Sequence, residues 1–153
     1  MARYNPRMET ITLSDYRSLA ELRYQIRRFL QFSEEAARHA RLEPRQHQLL
    51  LALKGLPEST RPCVGVLAER LQIRPHSAVE LVNRLAKRGL VRRRRDGSDR
   101  REVLLALTRK GEEVLRELSL HHRAELRSAG PALMAALEDV LSASKARRNL
   151  RKT

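Results

Sequence analysis

Six arginines fall within the ten residues Arg92 to Arg101, RRRRDGSDRR. A guanidinium stays protonated at any physiological pH, so such a run cannot shuttle protons or attack an electrophile. It can grip phosphate and fork onto the acceptor edge of guanine. Asp96-Gly97 inside the run is a strong turn dipeptide, and beyond it Val103, Leu105 and Leu107 alternate towards one face. The segment from Leu90 to Thr108 is therefore predicted to be a basic β-hairpin. Residues for other chemistry are scarce. The five histidines, His39, His47, His76, His121 and His122, show no His-x3-His spacing, and adjacent histidines on a helix point to different faces. The single Cys63 can form neither an intramolecular disulfide nor a multi-cysteine metal site, and it reads as a small buried filler beside a short strand. No glycine-rich phosphate loop, serine elbow or pair of carboxylates is present, so the sequence implies no enzyme, no metal and no cofactor.

The hairpin needs a scaffold, and the residues before it supply one. Leu67 to Leu90, LAERLQIRPHSAVELVNRLAKRGL, reads as two short amphipathic helices broken at Ile73-Arg74-Pro75. This is the pattern of a helix-turn-helix. Followed at once by a basic hairpin it makes a winged helix, whose usual ligand is duplex DNA. In its second helix Ala78, Leu81, Val82 and Leu85 are expected in the core. Arg74, His76, Ser77 and Glu80 are expected at base edges, since Arg forks to guanine, Ser reaches several bases and Glu accepts from the cytosine amino group. Asn83 and Arg84 are placed near phosphates or in support. The plainer alternative is that Glu80 and Arg84, spaced i to i+4, pair on an exposed face. Arg92, Arg93, Arg94 and Arg95 alternate along a strand, so half should meet phosphates and half should lie over the domain.

Composition agrees. The 153 residues carry 32 Lys+Arg against 18 Asp+Glu, a formal charge of +14, which calls for a polyanionic partner. Aromatic residues are only 3%, without Trp, which argues against the stacking platforms of single-strand binders. No apolar run approaches the roughly 18 residues that span a bilayer, and MARYNPRMETITLSD lacks the apolar core of a signal peptide, so a cytoplasmic protein with no membrane partner is expected. The first dozen residues, with Asn5-Pro6, read as a loose arm. Thr12 or Ser14 is suited to cap a long helix to about Ala40, with Leu19, Leu22, Ile26, Phe29, Leu30 and Ala36 or Ala37 along one stripe. Pro44 suits the first turn of a second helix that ends at Gly55 or near Pro57, and Thr60 to Val64 reads as a short strand. After the hairpin, Thr108 should cap a helix to about Ser128, with Val114, Leu115, Leu118 and His122 on its inner side. Gly130-Pro131 should break it and start a last helix carrying Leu133, Met134, Leu137, Val140 and Leu141. The end, KARRNLRKT, reads as a frayed basic tail.

Taken together, VGVLAERLQIRPHSAVELVNRLAKRGLVRR and DGSDRREVLLALTRKG resemble the multiple-antibiotic-resistance regulator (MarR) family of bacterial transcription factors. The carrying features are Asp99 and Arg101 at the wing tip, then Leu107-Thr108 opening the next helix and Lys110-Gly111 just beyond. The resemblance implies a mainly α (α+β) fold, a winged helix-turn-helix with N- and C-terminal dimerisation helices. It implies an arm and dimerisation helix over 1–42, the DNA-binding domain over 43–107, C-terminal dimerisation helices over 108–144 and a basic tail over 145–153. It further implies a homodimer on double-stranded DNA, two recognition helices about 34 Å apart, a near-palindromic operator and a repressor's role. Within the wing (Arg92, Arg93, Arg94, Arg95, Asp99, Arg100, Arg101), Arg101 is the leading minor-groove residue, because a narrow groove concentrates negative potential, and Asp99 steers it. Relatives often bind small aromatic effectors between dimer helices and winged helix; here Tyr16, Tyr24, Phe29 and Phe32 could line such a pocket, although apolar residues at helical spacing are more often plain core. Relatives that sense oxidants do so through a cysteine in the first helix, and this chain has none there. The chain departs from the family pattern at Arg74, usually Ser, at Glu80, usually basic, and at Asn83, often Asp. The operator is thus not to be borrowed from a relative. The competing reading is a non-specific packaging or architectural protein, in which the +14 charge alone binds nucleic acid.

Overall fold

Each helix of the chain begins and ends where local chemistry dictates. The computed structural model describes residues 10–95 and 103–150, with side chains to residue 142. Helix α1 spans Leu13–His39. Thr12 opens it: its hydroxyl accepts from the Asp15 amide at 3.3 Å, and the Asp15 carboxylate accepts from the Thr12 amide at 2.7 Å. Helices α2 (Pro44–Lys54), α3 (Val64–Leu71) and α4 (Pro75–Lys87) follow, then strands β1 (Val91–Arg95) and β2 (Val103–Leu107), then α5 (Arg109–Leu150). Prolines open α2 and α4 because the first turn leaves their missing N–H unneeded. Three helices end alike, with one residue in the left-handed region and the next amide reaching back to the carbonyl five residues earlier. Leu42 donates to Ala37, Ile73 to Ala68 and Leu90 to Leu85. The left-handed residues are Arg41, Gln72 and Gly89.

Residues 33–123 form one compact unit. Its core joins Leu49 and Leu50 of α2, Leu67 of α3, Leu81, Val82 and Leu85 of α4, Val91 and Leu105 of the hairpin, and Leu115 and Leu118 of α5. Burying each such side chain contributes roughly 2 kcal/mol, and the expected core positions Ala78, Leu81, Val82 and Leu85 are all buried. The strands pair antiparallel with Val91 opposite Leu107, Arg93 opposite Leu105 and Arg95 opposite Val103. Residues 10–32 and 124–150 form a second unit. There Ala136 and Gln25 are buried, while Leu13, Tyr16, Leu19 and Leu30 of α1 and Met134, Leu137 and Leu141 of α5 are exposed.

The structure corrects three expectations. Thr60 to Val64 is not a strand: α3 already begins at Val64, and Pro62 has no N–H to offer a ladder. What survives is one bond, from the Leu105 amide to the Pro62 carbonyl at 2.7 Å. Gly130-Pro131 does not divide the C-terminal region, because α5 is continuous and holds Pro131 inside it. The ring costs one backbone hydrogen bond, to Arg127, and the Ala- and Leu-rich turns on either side keep the helix going. The apolar alternation in β2 is also imperfect: Leu104 is buried along with Leu105, and Val103 is exposed. Residues 1–9, the turn Asp96-Gly97, and 151–153 lie outside the described residues.

Candidate nucleic-acid interface

Helix α4 is positioned by the turn before it. Gln72 takes the left-handed conformation at φ 55°, and Arg74 sits extended at φ −69°, ψ 146°, as a residue before proline must. Both α3 and α4 bury one face in the core. The periodicity of α4 then leaves His76, Glu80, Asn83 and Lys87, at i, i+4, i+7 and i+11, as one outward stripe, and all four are exposed. Arg74 is exposed at the helix start and Ser77 is half-buried on the flank. Lys87 was not picked out from the sequence; its seven-residue spacing from Glu80 is the signal that would have found it.

Three polar residues at the C-terminal end of α4 and just after it, Asn83, Arg84 and Arg88, have partners elsewhere in the unit. Arg84 does not pair with Glu80. Its guanidinium meets both carboxylate oxygens of Glu43, the residue before α2, at 3.3 Å. Arg88 donates to the buried Gln46 of α2 at 3.1 Å, and the same amide oxygen accepts from the Glu43 backbone N–H at 3.1 Å. These two links fix the C-terminal half of α4 against the start of α2. On its other side Asn83 accepts from Arg93 of β1 at 2.5 Å.

Arg92 to Arg95 are all exposed. Cross-strand pairing places Arg93 and Arg95 on the face of Leu105 and Val103, and Arg92 and Arg94 on the face of Ala106 and Leu104. Of the pair on the face of Leu105 and Val103, Arg93 lies over α4. Asp99, Arg100 and Arg101 lie outside the described residues. The hairpin is anchored behind by Thr108. Its hydroxyl donates to the Gly89 carbonyl at 2.6 Å and accepts from the Gly111 amide at 3.0 Å, capping α5 as expected. Lys110 donates to the Arg88 carbonyl at 3.2 Å, and Gly111 packs directly on the Leu90 backbone.

The four ring residues suggested as a pocket all lie on α1. Tyr16 and Phe32 are separated along it by about 24 Å, so only neighbouring members could share one small ligand. Tyr24 is exposed, with the Arg28 guanidinium 5.9 Å from its ring centre, and Phe29 and Phe32 are half-buried. His122 lies on the inner side of its helix as expected, and what the sequence did not show is its contact with His47. The buried His47 of α2 and His122 of α5 have ring centres 4.8 Å apart, and His122 bonds the Ser33 hydroxyl of α1 at 2.8 Å. Burial, with His122 adding to it, lowers the His47 pKa to about 4. Among the described residues no three His, Cys, Asp or Glu side chains could hold a metal, and no helix is long and apolar enough to cross a membrane. Cys63, half-buried, directly precedes α3.

Residues 42–102 match the model of the MarR family. No curated protein matches the chain. Among solved structures it is similar to AbsC, a MarR family transcriptional regulator from Streptomyces coelicolor, at 24% identity over 95% of this chain and 100% of that one, TM-score 0.69. It is similar to a mutant of MepR from S. aureus bound to an oligodeoxyribonucleotide, at 16% identity over 94% of this chain and 100% of that one, TM-score 0.62. It is also similar to Bordetella bronchiseptica BpsR, whose DNA binding is regulated by 6-hydroxynicotinic acid, at 21% identity over 84% of this chain and 98% of that one, TM-score 0.60.

Proposed function

From a winged-helix unit that belongs to the MarR family, within a chain that has the fold of the family's solved members, we propose a sequence-specific DNA-binding transcriptional regulator. It acts as a homodimeric repressor on a near-palindromic operator and is released by a small aromatic ligand. The observation that carries the reading is the outward stripe of α4 beside four exposed arginines of β1, bound to it through Arg93 and Asn83. Arg74, His76, Ser77 and Glu80 read bases; Arg92 and Arg94 hold phosphates, and the wing tip, with Asp99, Arg100 and Arg101, reaches the minor groove. The exposed apolar side chains of α1 and α5 meet a second copy. MepR with its oligodeoxyribonucleotide and BpsR with its ligand support the DNA and effector parts by likeness of fold.

Selection from a random duplex library tests this. Two recognition helices related by a two-fold axis should enrich a near-palindrome with half-sites about 10 base pairs apart, bound at least about a thousandfold tighter than a scrambled duplex at physiological salt. Equal binding to all duplexes, rising only as salt is lowered, would reject a specific regulator in favour of a charge-driven binder.

A further inference from the structure

Arg41 stands where the fold would favour glycine. It is the left-handed residue that ends α1, at φ 57°, and the equivalent position after α4 is Gly89. A Cβ is strained there, as it is at Gln72 after α3, so the backbone geometry does not itself call for an arginine. The Arg41 side chain is exposed and lines a cleft of about 600 Å³ between the α1–α2 corner and the C-terminal end of α4. The walls carry Arg38, Arg41, Arg84, Lys87 and Arg88 against a single carboxylate, Glu43. Glu43 is already engaged by Arg84, Arg38 pairs with Glu34 at 3.1 Å, and Arg88 donates to Gln46. Arg41, Lys87 and Arg88 carry charges that no described residue neutralises, and of the three only Arg88 is tied down, by its bond to the neutral amide of Gln46. Lys87 is also the last member of the outward stripe on α4, so the cleft continues the face that is presented to DNA.

We propose that this cleft is a phosphate clamp, in which Arg41 and Lys87 take the sugar-phosphate strand bordering the major groove that α4 enters. The inference rests on the DNA-binding reading above. A helix lying in the major groove has a phosphate strand along each side, and cations beyond the base-reading turn meet that strand and not the base edges. Each un-neutralised cation that contacts a phosphate releases a counterion, so its contribution appears in the salt dependence and is blind to sequence. Arg38 and Arg84 shape the cleft while carboxylates answer their charges, and Arg88, held by the neutral amide of Gln46, adds to its positive potential.

Arg41→Gly separates the clamp from the fold, because it relieves the backbone while deleting the charge. The full-length variant should melt at the same temperature or higher. Its affinity for the selected duplex and for a scrambled one should fall equally, several-fold at low salt, and its salt slope should drop by about one. Lys87→Gln should show the same slope change with an unaltered melt. Arg116→Gln, an equal loss of charge on α5, which contributes nothing to the cleft walls, should leave the slope at the native value. The clamp is overturned if Arg41→Gly binds as the native chain does, if it weakens binding no more than Arg116→Gln, or if it alters only the preference between duplexes. A native chain that binds no duplex at low salt overturns the clamp and the DNA reading together; normal native binding with an unaffected Arg41→Gly removes the clamp alone.

Discussion

Two residues show how much of the fold rests on single atoms. A Cβ on Gly111 would overlap the Leu90 carbonyl oxygen, so the first turn of α5 can lie on the α4–β1 connection only as glycine. Gly111→Ala should therefore destabilise the protein by about 1–3 kcal/mol, despite alanine's better helix propensity. An unchanged denaturation midpoint would show that the close approach is not required. The sequence placed Lys110-Gly111 by resemblance alone; the Lys110 bond to the Arg88 carbonyl and the Gly111 contact supply its physical reason. His47 gives a pH prediction. The folded protein keeps it neutral down to about pH 4, while in the unfolded chain it protonates near pH 6.5. Between those values the unfolded state binds the extra proton, so this stabilisation is complete above pH 6.5 and is lost as the pH falls towards 4. About 2 kcal/mol should disappear between pH 7 and pH 5. His47→Phe should flatten the dependence of melting temperature on pH across that range, and a slope equal to the native one would assign it to other groups.

At the scale of elements, α4 and β1 are expected to fail in different ways when altered. Ser77→Ala or Arg74→Ala should cost on the order of 1–3 kcal/mol on the selected duplex and flatten its preference over a scrambled one. Arg94→Ala, on the outer face of β1, should weaken both duplexes alike and lower the salt slope by about one. Arg93 differs from Arg94 in that it donates to Asn83 on α4; Arg93→Ala should loosen the helix against the wing and reduce discrimination as well. Titrations of each variant at several salt concentrations decide the matter, and proportionate loss on both duplexes for Ser77→Ala would remove α4 as the reader. These elements were legible in the sequence because α4 has clean helical periodicity with Pro75 at its start, and because a turn dipeptide separates the arginine run from the apolar run Val103 to Leu107. The partners of Arg84 and Arg88 were not legible, since Glu43 and Gln46 lie some forty residues away along the chain. Nor was the continuity of α5, where the good helix formers around Pro131 outweigh one missing N–H.

For the whole molecule the question is what covers the apolar side chains that the second unit leaves in water. Leu19 and Leu30 of α1 are 47% exposed, and Met134 and Leu137 of α5 are 64% and 46% exposed. Scattered exposed leucines are ordinary, but here they recur along two long helices whose unit buries few side chains, and contiguous apolar surface of that kind marks an association site. The apolar stripe of α1 was readable in the sequence, and the resemblance assigned that helix to a dimer; its exposure could come only from the structure. A second copy meeting these faces about a two-fold axis would bury them and set two α4 helices on successive turns of DNA. The native chain should thus scatter light as a dimer at micromolar concentration. Leu137→Glu places a charge amid that surface and should yield a monomer, while the core of residues 33–123, which α5 enters only as far as Leu118, keeps its cooperative melt. Such a monomer should retain weak, salt-sensitive binding to a single half-site and lose the gain from joining two, so that palindrome and half-site bind alike. A native chain that is monomeric at micromolar concentration, or a monomeric Leu137→Glu that still prefers the palindrome as strongly as the native protein, would show that the two-fold arrangement is not what selects the operator.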